Sequence, residues 1–330
     1  MSLGFGLGLQ YSKLSGGGGN TDAFTIEVKT DNAGTSNDNQ FQFTGAVGDY
    51  DVVAKQNNIV VATFDNLSGA ETITFPSSGV YVLELTAKEV SPFTGMRFDD
   101  SGDKLKLSKI NQWGLFNDTR QSLFFGCSNL TEIGSDVNWL NLITDGLNMF
   151  RDCNLTSLPS GMTLDNLTDG SNMFRDCNLT LLPSGMTLDN LTDGAYMFRN
   201  CNLTSLPSGM TLDNLTDGAL MFFRCNLTSL PSGMTLDNLT NGGAMFFGCN
   251  LSSLPSGMTL DNLTDGANMF AENTINTVRY SELLVDMENL NSNTNVLFNG
   301  GNSKYNTSGE TARNLLINNQ TWSFTDGGPA

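Results

Sequence analysis

Cys153, Cys177, Cys201, Cys225 and Cys249 stand 24 residues apart, and the residues between them repeat almost word for word. Read from Cys153 to Asp176, the unit is C-N-L-T-S-L-P-S-G-M-T-L-D-N-L-T-D-G-x-x-M-F-x-x, and it runs with few changes to Phe246. An imperfect copy, Leu123 to Ile133, precedes it, and Met269-Phe270 follows with Asn273 where another Cys would fall. A fixed period of about 20 to 29 residues, with apolar residues in constant phase, predicts a solenoid. One coil cannot bury its own inner face, so successive coils must stack and bring equivalent residues into columns.

The predicted core columns are Leu155, Leu158, Met162, Leu164, Leu167, Met173, Phe174 and Cys177 with their equivalents. Pro159-Ser160-Gly161 turns the chain, and Met162 and Leu164 alternate as a short strand does. Asp165 to Gly170 offers a further turn with Gly170 in a left-handed conformation. Stacked cysteines would carry parallel side-chain vectors about 4.8 Å apart, a poor match to the roughly 90° torsion of a disulfide. The six cysteines therefore read as a ladder of buried free thiols that act as small hydrophobes.

Composition narrows the function. The chain has no histidine, which removes Ser-His-Asp and Cys-His nucleophile pairs and His-containing metal sites together. With 34 acidic against 16 basic residues the net charge is −18, and Lys104, Lys106 and Lys109 are the one basic cluster. Neither nucleic acid nor an anionic membrane surface is an expected partner of such a chain. No apolar run approaches the roughly 20 residues of a spanning helix, so no membrane insertion is expected. The recurring Asp165/Asp169 pairs raise the question of Ca²⁺, but the D-x-x-x-D-G spacing places Leu where a calcium loop needs its second ligand. Turn-forming Asp is the favoured reading, and no catalytic set, cofactor or metal is expected.

The flanks divide the rest. Residues 21–96 alternate as half-buried strands do at Phe24–Val28, Asp51–Ala54, Ile59–Phe64, Thr72–Phe75 and Val80–Leu85, which predicts a β-sandwich. Residues 97–120, containing Trp113-Gly114, read as a cap on the first open end of the coils at 121–273. Residues 274–330 read as a mixed α/β cap at the other end: helix from Tyr280, strand at Asn295–Phe298, helix from Ser308, and a last strand at Thr321–Phe324 with Trp322 over the final coil. The Gly-rich residues 1–20 read either as a flexible tail or as an anchor that docks Leu3, Phe5, Leu7, Leu9 and Tyr11 against a partner. They lack a basic n-region and a long apolar h-region, so either a secretion signal has been removed or the protein reaches its site without that pathway.

The strings Met-Phe-x-x-Cys and Leu-Thr-x-Leu-Pro, with Leu-Thr-Asp-Gly upstream, resemble the BspA-like leucine-rich repeats of bacterial surface proteins, which usually read M-F-x-x-C-x-x-L-x-x-L. Copies from Cys153 onward carry one residue fewer between Cys and Leu, whereas Cys127-Ser128-Asn129-Leu130 keeps the usual spacing. The passage from Lys29-Thr-Asp-Asn-Ala-Gly through Gly79-Val-Tyr-Val-Leu-Glu-Leu resembles the PKD-like, immunoglobulin-type module often found ahead of such repeats, without its W-G-D-G stretch. With the Gly-rich start, the whole arrangement is similar to virion surface proteins of tailed bacteriophages. The resemblance implies a non-enzymatic tail-fibre, receptor-binding or head-decoration protein on the virion surface. It would bind a host cell-surface glycan or protein, contact other virion proteins through its N-terminus, and be open to homo-oligomerisation as a trimer. A bacterial cell-surface adhesin and a polysaccharide-degrading enzyme are the alternatives.

Within the repeats, variation concentrates beside each Met-Phe pair. The two residues before it read Leu147-Asn148, Ser171-Asn172, Ala195-Tyr196, Ala219-Leu220, Gly243-Ala244 and Ala267-Asn268. The two after it read Arg151-Asp152, Arg175-Asp176, Arg199-Asn200, Phe223-Arg224, Phe247-Gly248 and Ala271-Glu272. Stacking would align these as one outward stripe, with Arg151, Asn172, Arg175, Tyr196, Arg199, Leu220, Phe223 and Phe247 as the candidate binding face. Exposed aromatic patches of this kind mark interaction sites; relaxed drift on an idle face is the competing reading.

Overall fold

The computed structural model describes residues 20–330, so the candidate anchor residues Leu3, Phe5, Leu7, Leu9 and Tyr11 lie outside the described part. The fold is mainly β with few helices. Seven strands come first: β1 (Phe24–Lys29), β2 (Gln40–Gln42), β3 (Asp49–Gln56), β4 (Ile59–Ser68), β5 (Thr72–Thr74), β6 (Val80–Ala87) and β7 (Leu107–Gln112). An antiparallel sheet runs β4-β3-β6-β1-β7, and β2 pairs with β5. The small sheet lies on the large one through aromatic edges and faces. Phe43 meets Tyr50 at 5.2 Å, and Phe75 stacks on Tyr81 at 4.1 Å between centroids.

The loop after β1 is held by a fully buried ion pair. Lys106 Nζ donates to the Ser36, Asn37 and Gln40 carbonyls and to Ser36 Oγ. Asp103, 4.0 Å away, accepts from the Thr35, Ser36 and Gln42 backbone N–H groups. Burial alone would raise the Asp103 carboxyl, but the Ser36 and Gln42 donors and the Lys106 charge hold it below its ordinary range. Every partner of this buried pair is thus a hydrogen-bonding group, the condition under which buried charge is tolerated.

Residues 107–112, assigned from sequence to the cap of the coils, form the edge strand of this sheet and also begin the stack. Lys109 pairs with Glu132 in a parallel bridge, and Ile110 N–H donates to the Glu132 carbonyl at 3.0 Å. From there each coil bonds to the next. Asn148, Phe150 and Asp152 donate their N–H groups to the Ser171, Met173 and Arg175 carbonyls at 3.1, 2.9 and 2.9 Å, and the pattern recurs every 24 residues. The intervening Met149, Arg151 and Cys153 N–H groups close tight turns onto Gly146, Asn148 and Phe150.

This alternation explains why the repeats contain no regular strand. Neighbouring residues of a strand point to opposite faces, yet Met149 and Phe150 are both buried, as is every equivalent pair. The chain turns both inward by placing the flanking residues in the left-handed region: Asn148 at φ 55° and Asp152 at φ 59°, with Asn172, Tyr196, Leu220, Ala244 and Asn268 in the same state. The expected Met162–Leu164 strand is likewise absent, leaving one bridge per coil, such as Asp169 to Asp193. The expected left-handed Gly170 is also corrected. Its φ is not in that region, and a Cβ there would sit 2.9 Å from the Met197 sulfur of the following coil. Glycine is needed for a close approach rather than for a turn.

Inside, the columns are continuous. Phe150, Phe174, Phe198, Phe222, Phe246 and Phe270 stack at 5.5 to 5.7 Å with planes within 9° of parallel. All six cysteines are free and buried. Each thiol from Cys153 to Cys249 donates to a Phe carbonyl in the preceding coil at 3.2 Å. Burial pushes these thiols up, Cys249 to about 12.

At the far end α1 (Thr277–Leu290) packs on α2 (Thr307–Gln320), and β8 (Leu297–Asn299) pairs in parallel with β9 (Ser323–Thr325). Phe298 of β8, not Trp322, covers the last ring, meeting Phe270 at 6.1 Å edge to face. Trp322 lies one layer further out against Phe298 at 6.5 Å.

Gly194→Ala should lower the denaturation free energy by roughly 1–3 kcal/mol, as overpacking does, because its Cβ would meet Met221 sulfur at 3.1 Å. Gly185→Ala, where a Cβ meets nothing within 4 Å, should be neutral or slightly stabilising in the same urea titration. A thiol reagent should find the native cysteines unreactive, and all six reactive in denaturant without reductant.

Candidate interaction surface

The tight turns around each Met-Phe pair carry the candidate residues onto one face. Because the residue after Phe alternates outward, Phe125, Arg151, Arg175, Arg199, Phe223 and Phe247 form one half-buried column along the stack. Their planar groups lie over one another. The Arg151 guanidinium sits 4.7 Å from the Phe125 centroid. Tyr196 reaches across from the adjacent column to lie between Arg175 and Arg199, at 5.6 and 6.0 Å. Arg199 then covers Phe223 at 5.3 Å, and Phe223 stacks on Phe247 at 4.9 Å with planes 20° apart.

Six of the eight candidate residues, Asn172, Arg175, Tyr196, Arg199, Phe223 and Phe247, are joined in one run, while Arg151 stacks separately on Phe125. Arg175 Nη1 also donates to Asn172 Oδ1 at 3.2 Å, which ties Asn172 to the column. Leu220 is half-buried beside Tyr196's position in the next coil, without a cation–π partner of its own. Two members were missed. Phe125 belongs to the imperfect first copy, and its phase relative to Arg151 was the available signal. Arg224 lies over Phe223 at 5.3 Å; it stands in a variable position that was read as a neighbour of Phe223 rather than as a contact.

Countercharge changes along the stripe. Arg151 and Arg175 are paired with Asp152 and Asp176 at 3.5 and 3.0 Å. In the next coils the acidic position becomes Asn200 and then Arg224, and neither Arg199 nor Arg224 has an ion pair among the described residues. The Arg199 Nε is buried without a hydrogen-bond partner. Burial, with the neighbouring Asp176 charge, holds the Asp152 carboxyl above the usual carboxylate range against the pull of Arg151.

Elsewhere on the coils, exposed positions that do not vary have a structural use. Thr168, Thr192 and Thr216 hydroxyls donate to the Thr144, Thr168 and Thr192 carbonyls, and Asn190 and Asn214 amides donate to Asp165 and Asp189 carbonyls. The repeated Asp carboxylates accept turn N–H groups, Asp169 from Ser171 at 2.9 Å and Asp193 from Ala195 at 3.0 Å. Outward direction alone thus does not free a residue to vary; the stripe varies because no bond between coils runs through its side chains in most copies.

A family profile described as a BspA type leucine rich repeat region matches residues 34–180 and 192–291, in six copies. The match begins inside the strand module, upstream of the first recognisable copy. No curated protein matches the chain.

Tyr196 sits at φ 62° and Leu220 at φ 55°, where a side chain without a short polar end costs about 1–2 kcal/mol. Tyr196→Asn, the residue found at the equivalent Asn172, should raise the thermal midpoint. An unchanged or lower midpoint would mean that its two cation–π contacts outweigh the strain.

Proposed function

The chain belongs to the BspA-type leucine-rich-repeat family, and on that footing we propose that it is a surface protein of the adhesion type. In this reading the stacked coils are a solenoid that presents the cation–aromatic stripe to a ligand on a cell surface. The strand module ahead of them, of immunoglobulin or PKD kind, serves as the spacer. The proposal is binding without bond-making. Its site is a ribbon of stacked planar side chains along one face.

The observation that carries the proposal is the placement of Tyr196 and Leu220. Asn148, Asn172 and Asn268 occupy equivalent left-handed positions, for which Asn is well suited. Tyr196 and Leu220 are poorly suited to that backbone and contribute nothing to the core, yet Tyr196 completes the run between Arg175 and Arg199. Strain kept at a surface where it assembles a continuous patch is a signature of a working site. Drift on an idle face would not place Tyr196 where it joins Arg175 and Arg199 in one contact run.

We extend the proposal to location. The protein sits on the virion surface of a tailed phage, attached through its Gly-rich N-terminal segment, and the coils face the host. Support comes from the order of segments, Gly-rich start, strand module, then repeats. Immunogold labelling of purified particles tests this; label on bacterial envelopes and not on particles would favour the cell-surface adhesin.

Replacing Tyr196, Phe223 and Phe247 together by Ser should abolish binding of the labelled protein to host cells while its thermal transition stays cooperative. Undiminished binding by a folded triple variant would overturn the assignment of the face.

A further inference from the structure

We propose that the stripe recognises an acidic polysaccharide bearing a carboxylate on each sugar ring, laid along the axis of the coils. The inference rests on the reading of the stripe as a binding surface and adds the chemistry of its ligand.

Three observations converge on this class. The first is charge. The chain carries −18 overall, yet Arg151, Arg175, Arg199 and Arg224 occur in four successive coils on one face. Countercharge is withdrawn towards the middle of the run, as Asp152 and Asp176 give way to Asn200 and Arg224. Arg199, between Tyr196 and Phe223, is left with a buried Nε lacking a partner and with no carboxylate of its own among the described residues. A half-buried arginine with no neutralising carboxylate offers its charge to an anionic ligand.

The second is orientation. Arg175 and Arg199 lie over the faces of Tyr196, and Arg199 and Arg224 over that of Phe223. Stacking covers the ring faces and the guanidinium faces together, so a ligand meets only the N–H groups not already used, as Arg175 uses Nε and Nη1 on Asp176 and Asn172. The planar fork suits a bidentate carboxylate. A neutral glycan held by ring-face stacking would need open aromatic faces, and here Phe223 is covered by Phe247 and Arg199.

The third is spacing. Coils bonded as neighbouring strands advance about 4.8 Å, and the buried rings repeat at 5.5 to 5.7 Å. A hexuronate unit advances by a similar step, and because the rings of a two-fold hexuronan face alternately, its same-face carboxylates return about every second coil, the separation of Arg151 from Arg199. An extended acidic peptide presents same-face side chains every 6.6–6.8 Å or so, and it falls out of register within a few coils.

The experiment uses the full chain and measures binding to polygalacturonate, with dextran as the neutral glycan and poly-glutamate as the acidic peptide. Polygalacturonate should bind, and dextran and poly-glutamate should not. Arg199→Gln should weaken polygalacturonate binding roughly tenfold or more, as loss of a charge-assisted pair implies. Arg199→Lys, which keeps the charge without the fork, should restore little of it. A folded Arg199→Gln variant that binds polygalacturonate as the parent does would overturn the proposal, and so would full recovery in Arg199→Lys. Preference for dextran or poly-glutamate would overturn it in favour of the other ligand class. If host-cell binding is lost in the Tyr196/Phe223/Phe247 variant while polygalacturonate is ignored, the surface stands and its assigned ligand fails. If the cells are bound equally by that variant, the surface itself fails.

Discussion

Everything in the repeat region depends on one set of hydrogen bonds, those that join each coil's Gly146, Asn148, Phe150 and Asp152 N–H groups to the carbonyls of the coil that follows. No coil can pair these groups with its own backbone, and unpaired buried N–H groups are not tolerated. The spacing they impose brings the Phe rings into a stack, places the glycines against the Met sulfurs of the following coil and aligns the guanidiniums outside. Packing within the columns then follows from pairing between coils.

Ends of such an arrangement need different chemistry from its middle. At the start, β7 belongs both to the sheet and to the stack, and Trp113 closes the column against Phe124 and Phe150 at 5.7 and 6.5 Å. At the finish Asn273 takes the place of a cysteine. In the repeats one sulfur both donates to a Phe carbonyl and faces a Leu backbone group, as Cys177 does with Phe150 and Leu155. Asn273 divides these tasks between two atoms. Its Nδ2 donates to the Phe246 carbonyl at 2.8 Å and its Oδ1 accepts from Leu251 N–H at 2.8 Å. Beyond it β8 mimics a coil, receiving Gly266 and Phe270 N–H groups on the Leu297 and Asn299 carbonyls.

Much of this could be read in the sequence because the period itself sets the phase. The inward columns, both C-terminal helices and strands β1, β3, β4, β5 and β6 were legible from periodicity. What escaped depended on a neighbour far along the chain. Gly170 looks like a turn glycine until Met197 is stacked beside it. The left-handed corners at Tyr196 and Leu220 carry no glycine to announce them. Strand β2, three residues long, has too few positions to show alternation, and Leu107–Gln112 serves two structures at once. Of the stripe, six residues that lie in contact could be picked out because copies disagree there; Phe125 and Arg224 are members by contact, which a list of differences does not reveal.

One consequence of the near-identity of the coils concerns folding rather than binding. A coil that pairs with the wrong neighbour makes almost the same hydrogen bonds and fills almost the same columns, so the core alone does not distinguish a correct stack from one slipped by a whole coil. Correct alignment has to be imposed from the termini, by β7 with Trp113 and by Asn273 with Phe298. It is also favoured by the few side chains that differ between copies. Tyr196 meeting Arg175 of the preceding coil, and Phe223 meeting Phe247, are satisfied in one arrangement and lost in a slipped one. The residues proposed to face a ligand are thus also labels by which the chain counts its own coils.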